Sequence, residues 1–137
     1  MKNKTKLQKI KSGNKPQAPK LPSGWFYMTP QPVKAEEIYE ALKGQPGIEE
    51  IELWSDAGIL EIVLGEKSSM DVEPLAENYL KDEFSLAFLE AHEVTPRFYI
   101  SFRPEEYQKA ETVMKTLVSK LGGLIAGDSE DFEPILK

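Results

Sequence analysis

The stretch from Arg97 to Gly127, RFYISFRPEEYQKAETVMKTLVSKLGGLIAG, constrains the fold more than any other part of the chain. Phe98, Ile100 and Phe102 alternate with Tyr99 and Ser101, which is the two-residue period of a half-buried strand. Pro104 sets φ for a first helical turn, and Glu105 and Glu106 suit the positive end of a helix dipole. Tyr107, Ala110, Met114, Leu117 and Leu121 then recur at three- and four-residue steps, with Val113 and Val118 widening the stripe. Lys120 sits in the last turn, and Gly122 or Gly123 can adopt the left-handed conformation that stops a helix. Leu124, Ile125 and Ala126 read as a short strand running beside the first. A strand–helix–strand unit follows, which is architecture without chemistry.

The segments before it carry weaker versions of the same signals. Trp25–Thr29 is an aromatic run bounded by Gly24 and Pro30, hence a first strand. Pro32 can open a helix whose apolar side is Ala35, Ile38, Ala41 and Leu42, and Gly44 ends it. Residues 50–54 and 59–64 form a hairpin around Ser55-Asp56-Ala57-Gly58. Its inner face is Ile51, Leu53, Leu60, Ile62 and Leu64; its outer face is Glu50, Glu52, Trp54, Glu61 and Val63. Residues 65–71 read as polar loop, and Pro74 can start helical structure over 73–92, as one helix or two. The tail over 127–136 should dock through Phe132, Ile135 and Leu136. The expected fold is α+β: a two-layer helix–sheet sandwich with a ferredoxin-like core and an added C-terminal helix–strand. Helices on one face of the sheet would leave the other face open to solvent or a partner.

Charge divides the chain in two. Residues 1–20 hold seven lysines and no acid, leaving 10 basic against 23 acidic side chains on the rest, a net −13 there. Residues 1–24 are poor in apolar groups and rich in Pro and Gly, so they read as a flexible basic arm preceding a single acidic domain over 25–137. The arm reads either as a nucleic-acid or partner-binding segment or as a solubilising tail. A negative body repels phosphate and anionic lipid and steers basic partners towards itself.

Several chemistries are excluded outright. The absence of cysteine removes disulfides, Cys–zinc sites and thiol catalysis. His92 is the only histidine, too few for a histidine metal cage. Neither GxGxxG nor GxxxxGK[ST] occurs. No secretory signal or membrane span is legible, so a cytoplasmic protein without cofactor is expected. Four carboxylates, Asp128, Glu130, Asp131 and Glu133, are the best metal candidates, and they lack the spacing of an EF-hand loop.

What remains is a non-enzymatic binding protein, of inhibitor or immunity-protein character, whose acidic and aromatic face engages a basic protein. That face is assigned to Glu50, Glu52, Trp54, Glu61 and Tyr99, with Trp25 and Tyr27 as further aromatics pointing away from the helices. Two alternatives stand: a metal-dependent hydrolase built on the Asp128–Glu133 cluster, and a nucleic-acid accessory protein acting through the lysine arm.

Overall fold

A computed structural model describes residues 21–137. Most of the expected basic arm lies outside the described residues. Its last residues are tied to the sheet: the Ser23 carbonyl accepts from the Phe102 N–H at 3.3 Å and the Gly24 carbonyl from the Asp128 N–H at 2.9 Å.

In chain order the elements are β1 (Gly24–Thr29), α1 (Ala35–Leu42), β2 (Glu50–Trp54), β3 (Ile59–Gly65), β4 (Ser68–Pro74), α2 (Glu83–His92), β5 (Thr95–Ser101), α3 (Tyr107–Leu121), β6 (Leu124–Gly127) and β7 (Ile135–Leu136). A 3₁₀ turn over Pro104–Glu106 leads into α3. The strands form one sheet in the order β2-β3-β4-β5-β1-β6-β7, and every neighbouring pair is antiparallel. The described residues are thus α+β, with three α-helices on a seven-stranded antiparallel sheet.

The first sheet face is covered as the side-chain periods require. α1 buries Ala35, Ile38 and Leu42; α3 buries Ala110, Val113, Met114, Leu117 and Val118. Beneath them lie Leu60, Ile62, Met70, Val72, Phe98 and Ile100 from β3, β4 and β5. Each large side chain fully withdrawn from water there contributes about 1.5–3 kcal/mol before entropy is counted. Trp25 is stacked on Phe102 and on Tyr107, at ring-centroid separations of 6.3 and 5.7 Å.

Five sequence expectations need correction. β6 does not run beside β5: β1 lies between them, so β5–α3–β6 is a split unit with its two strands parallel and one strand apart. Residues 65–71 are not all loop, because β4 pairs with both β3 and β5. Its alternation of Ser68, Met70 and Val72 inward with Asp71 and Glu73 outward was hidden among residue types uncommon in strands. No helix starts at Pro74; α2 starts at Glu83, where the Asp82 carboxylate accepts from the Ser85 N–H at 3.0 Å and from its hydroxyl at 2.7 Å. Trp25 and Tyr27 face α1 and α3, whereas Phe26 and Met28 face the other way. Finally, the helices are not all on one face. Phe88 and Leu89 of α2 pack with Phe26, Met28, Leu124 and Phe132 on the second face.

Candidate functional site

The second face has a covered half and a bare half. Over β1, β5 and β6, the chain from Leu75 to His92 and the tail through Phe132 make a small second core. Phe26 meets Tyr99 edge-on at 5.3 Å and Phe132 at 6.0 Å, and Phe88 lies 4.4 Å from Phe132. Over β2, β3 and β4 nothing in the described residues lies on the sheet.

Registers place the side chains of the bare half in rows. Glu52 stands opposite Glu61, Glu61 opposite Asp71, and Asp71 opposite Ser101. One row along, Glu50 pairs with Val63 and Val63 with Ser69; in the other direction Trp54 pairs with Ile59, and Glu73 with Tyr99. Directly opposed strand residues have Cβ atoms roughly 4.5–5.5 Å apart. Three carboxylates therefore stand side by side across three strands, with Glu50 and Glu73 flanking them. None of the ion pairs among the described residues reaches any of the five. The crowding has an electrostatic signature: partial burial, then Glu61, then Glu73 raise the Asp71 carboxyl above the ordinary aspartate range.

Glu50, Glu52 and Trp54 are exposed, and Glu61 is half-buried between its neighbours. Trp54 keeps 45% of its surface in water at the end of the edge strand. Its carbonyl accepts from the Gly58 N–H at 2.8 Å, which closes the hairpin turn. Asp71 and Glu73 belong to this face and were missed, because β4 was not recognised as a strand.

Tyr99 is placed differently from the other four. It shares the second face, but its ring packs on Phe26 and its hydroxyl donates to Asp128 at 2.7 Å. Burial and that hydrogen bond both raise its pKa. A Cβ at Gly24 would collide with the Tyr99 ring, so the glycine is what lets the tyrosine lie down across β1. Tyr99 forms the wall between the two halves.

The Asp128–Glu133 carboxylates do not converge. Asp128 holds Tyr99, while Asp131 accepts from the Ser129 hydroxyl at 3.2 Å and the Glu133 N–H at 3.1 Å. Among the described residues no three His, Asp or Glu side chains are grouped as metal ligands. His92 stacks on Phe88 at 4.2 Å.

Arg97, the first residue of the stretch that opens the sequence analysis, is buried. The register of β1 on β5 slips between Tyr27 and Met28, which pair with Phe98 and Pro96 and leave Arg97 as the extra residue of a bulge. Its guanidinium donates to the Thr29 hydroxyl and carbonyl and the Pro30 carbonyl, each at 3.1 Å, and to Glu77 at 3.0 Å. That is a clamp on the end of β1, with no open position for a ligand.

Among the described residues no helix is long and apolar enough to cross a membrane. No family model matches the chain, and no curated protein and no solved structure matches it either.

Proposed function

We propose that this is a non-enzymatic binding protein whose bare sheet half, carrying Glu50, Glu52, Trp54, Glu61, Asp71 and Glu73, engages a basic protein partner. The observation that carries the reading is the Glu52–Glu61–Asp71 row. Like charges directly opposed on a sheet oppose folding by roughly 0.2–1 kcal/mol per pair relative to neutral pairs. A row of opposed like charges that forms no ion pair among the described residues is suited to meet cations from outside. Trp54 adds an apolar anchor at the rim of the negative field, the residue type most often dominant in interfaces. Such a field speeds encounter with a basic surface and loses its effect as salt rises. Tyr99 enters this reading as the wall of the site rather than as an anchor.

The fold that carries the face is, we propose, a ferredoxin-like core of β1, α1, β4, β5, α3 and β6 with the β2–β3 hairpin inserted after α1. The order β4-β5-β1-β6 supports it. The inserted hairpin then supplies most of the bare surface.

A photo-crosslinking residue at Val63, with Ser119 on α3 as control, tests the function in the source cell. Adducts with one basic protein from position 63 alone are expected. The identified partner should then bind the purified chain with an association rate that falls steeply with salt. Equal adducts from both positions, or an acidic partner, would sink the reading.

A further inference from the structure

The bare half ends at a strand with one side unpaired. We propose that the basic partner adds a strand of its own to the outer edge of β2, a segment in which lysine or arginine alternates with an apolar residue, an inference that rests on the partner-face reading above.

β2 closes one end of the sheet, with β3 as its strand neighbour. Its five residues pair with β3 without a register shift, and none is proline. Outside that ladder, no backbone–backbone hydrogen bond among the described residues reaches Ile51, Glu52 or Leu53. Half of the N–H and C=O groups of such a strand point away from the sheet and can template another chain. The opposite end is blunted instead, because β7 is two residues long and follows Pro134.

The core also stops short at β2. On the first face Ile51 stands beside Ile62 and Ile62 beside Met70; Leu53 stands beside Leu60 and Leu60 beside Val72. Ile62, Met70, Leu60 and Val72 are at most 1% exposed, whereas Ile51 and Leu53 are only half-buried. Next to them, Tyr39, Ile48 and Ile51 line a hollow of about 300 Å³ between the end of α1 and the strand. A strand laid along β2 would put alternate side chains over this hollow and extend both apolar rows. Its other side chains would stand on the second face, with Cβ atoms roughly 4.5–5.5 Å from those of the β2 residues they oppose.

Charge selects the occupant. Glu50 and Glu52 point to the second face and form none of the ion pairs among the described residues. Opposite charges on facing strand positions stabilise a sheet, and like charges destabilise it. A second copy of this chain, paired edge to edge about Glu52, would set Glu52 against Glu52. A basic strand meets no such opposition and brings its cations to the end of the Glu52–Glu61–Asp71 row. Lys43, which lines the hollow, is held by Glu40 at 2.7 Å. Backbone pairing then supplies affinity, and the alternation of basic and apolar residues supplies specificity.

The probe is a blocked synthetic peptide of alternating lysine and valine, long enough to span β2, titrated into the isotope-labelled full-length chain. In an extended peptide the valine N–H groups point to one edge and the lysine N–H groups to the other, so N-methylating either set blocks one edge. One isomer should bind, with NMR shifts and slowed amide exchange centred on Glu50–Trp54. The other should bind about tenfold or more weakly, as the loss of one or two hydrogen bonds implies. Binding should also weaken with salt and in the Glu50→Gln, Glu52→Gln double variant. Equal binding of both isomers, shifts confined to Glu61 and Asp71, or no binding overturns the strand pairing. So does sedimentation of the peptide-free chain as a dimer with its β2 amides protected. None of these outcomes touches the crosslinking from Val63, which tests the partner reading separately.

Discussion

The two halves of the second sheet face belong to one antiparallel sheet, yet they are built to opposite ends. Over β1, β5 and β6 the upward-pointing side chains are Phe26, Met28, Leu124 and Ala126, covered by α2 and Phe132. Over β2, β3 and β4 they include Glu52, Glu61, Asp71 and Glu73, covered by nothing in the described residues. The first half removes apolar area from water. The second places like charges against one another, which folding alone would not favour. That contrast separates residues that build the core from those we propose for partner binding.

The largest way to break the comparison is a truncation in the covered half. Phe26→Ala should cost about 3–5 kcal/mol, and Ile100→Ala or Leu117→Ala about 2–4 kcal/mol on the opposite face of the sheet. Val63→Ala in the bare half should cost well under 1 kcal/mol, within the usual range of surface changes. Urea denaturation of the four variants measures this, and equal losses at Phe26 and Val63 would erase the distinction.

Next in size is Arg97→Met. It strips hydrogen bonds from the buried Thr29 hydroxyl and carbonyl, and an unmet buried acceptor costs about 1–3 kcal/mol. Glu77→Gln, which removes only the exposed partner of the same guanidinium, should cost less than ~1 kcal/mol. The pair sharpens the assignment of Arg97 to the scaffold, and comparable losses in both would contradict it.

A smaller effect of opposite sign should come from the bare half. The Asp71 carboxyl is raised by burial and by Glu61 and Glu73, so the folded chain holds that proton more tightly than the unfolded chain. Its ionisation therefore costs stability: the penalty is absent below the unfolded-state range and grows as pH rises through the raised value. Asp71→Asn should stabilise the protein at pH 7 by roughly 0.2–1 kcal/mol, lose that gain near pH 4, and lose part of it at high salt. A variant less stable than its parent at both pH values would mean that the row supports the fold.

The smallest expected effect on stability is Trp54→Ala, about 0.5 kcal/mol or less, because nearly half its surface is already in water. The same change should weaken partner binding by ~2 kcal/mol or more if Trp54 is a hot spot, mainly through faster dissociation. Surface plasmon resonance beside thermal unfolding distinguishes the two roles.

Legibility in the sequence followed the number of faces a segment buries. β5 and the β2–β3 hairpin turn one apolar side towards the core, and their alternation assigned Glu50, Glu52, Trp54 and Glu61 to the outer side correctly. β1 is buried on both faces from Gly24 to Thr29, so it offers no alternation, and the direction of Trp25 and Tyr27 could not be read. The slip at Arg97 is likewise invisible, because a bulge changes pairing and not composition.

The sequence by itself determined the local elements: α1, α3, β5, the hairpin, and which of their side chains share a side. These are set by periods of two and 3.6 residues, which are properties of neighbouring positions along the chain. Only the tertiary structure decided that β4 completes the carboxylate row, that β1 separates β5 from β6, and that α2 crosses to the second face. Those outcomes depend on which distant strands pair and what surface is left to cover, and pairing between residues far apart leaves no periodic mark in either partner.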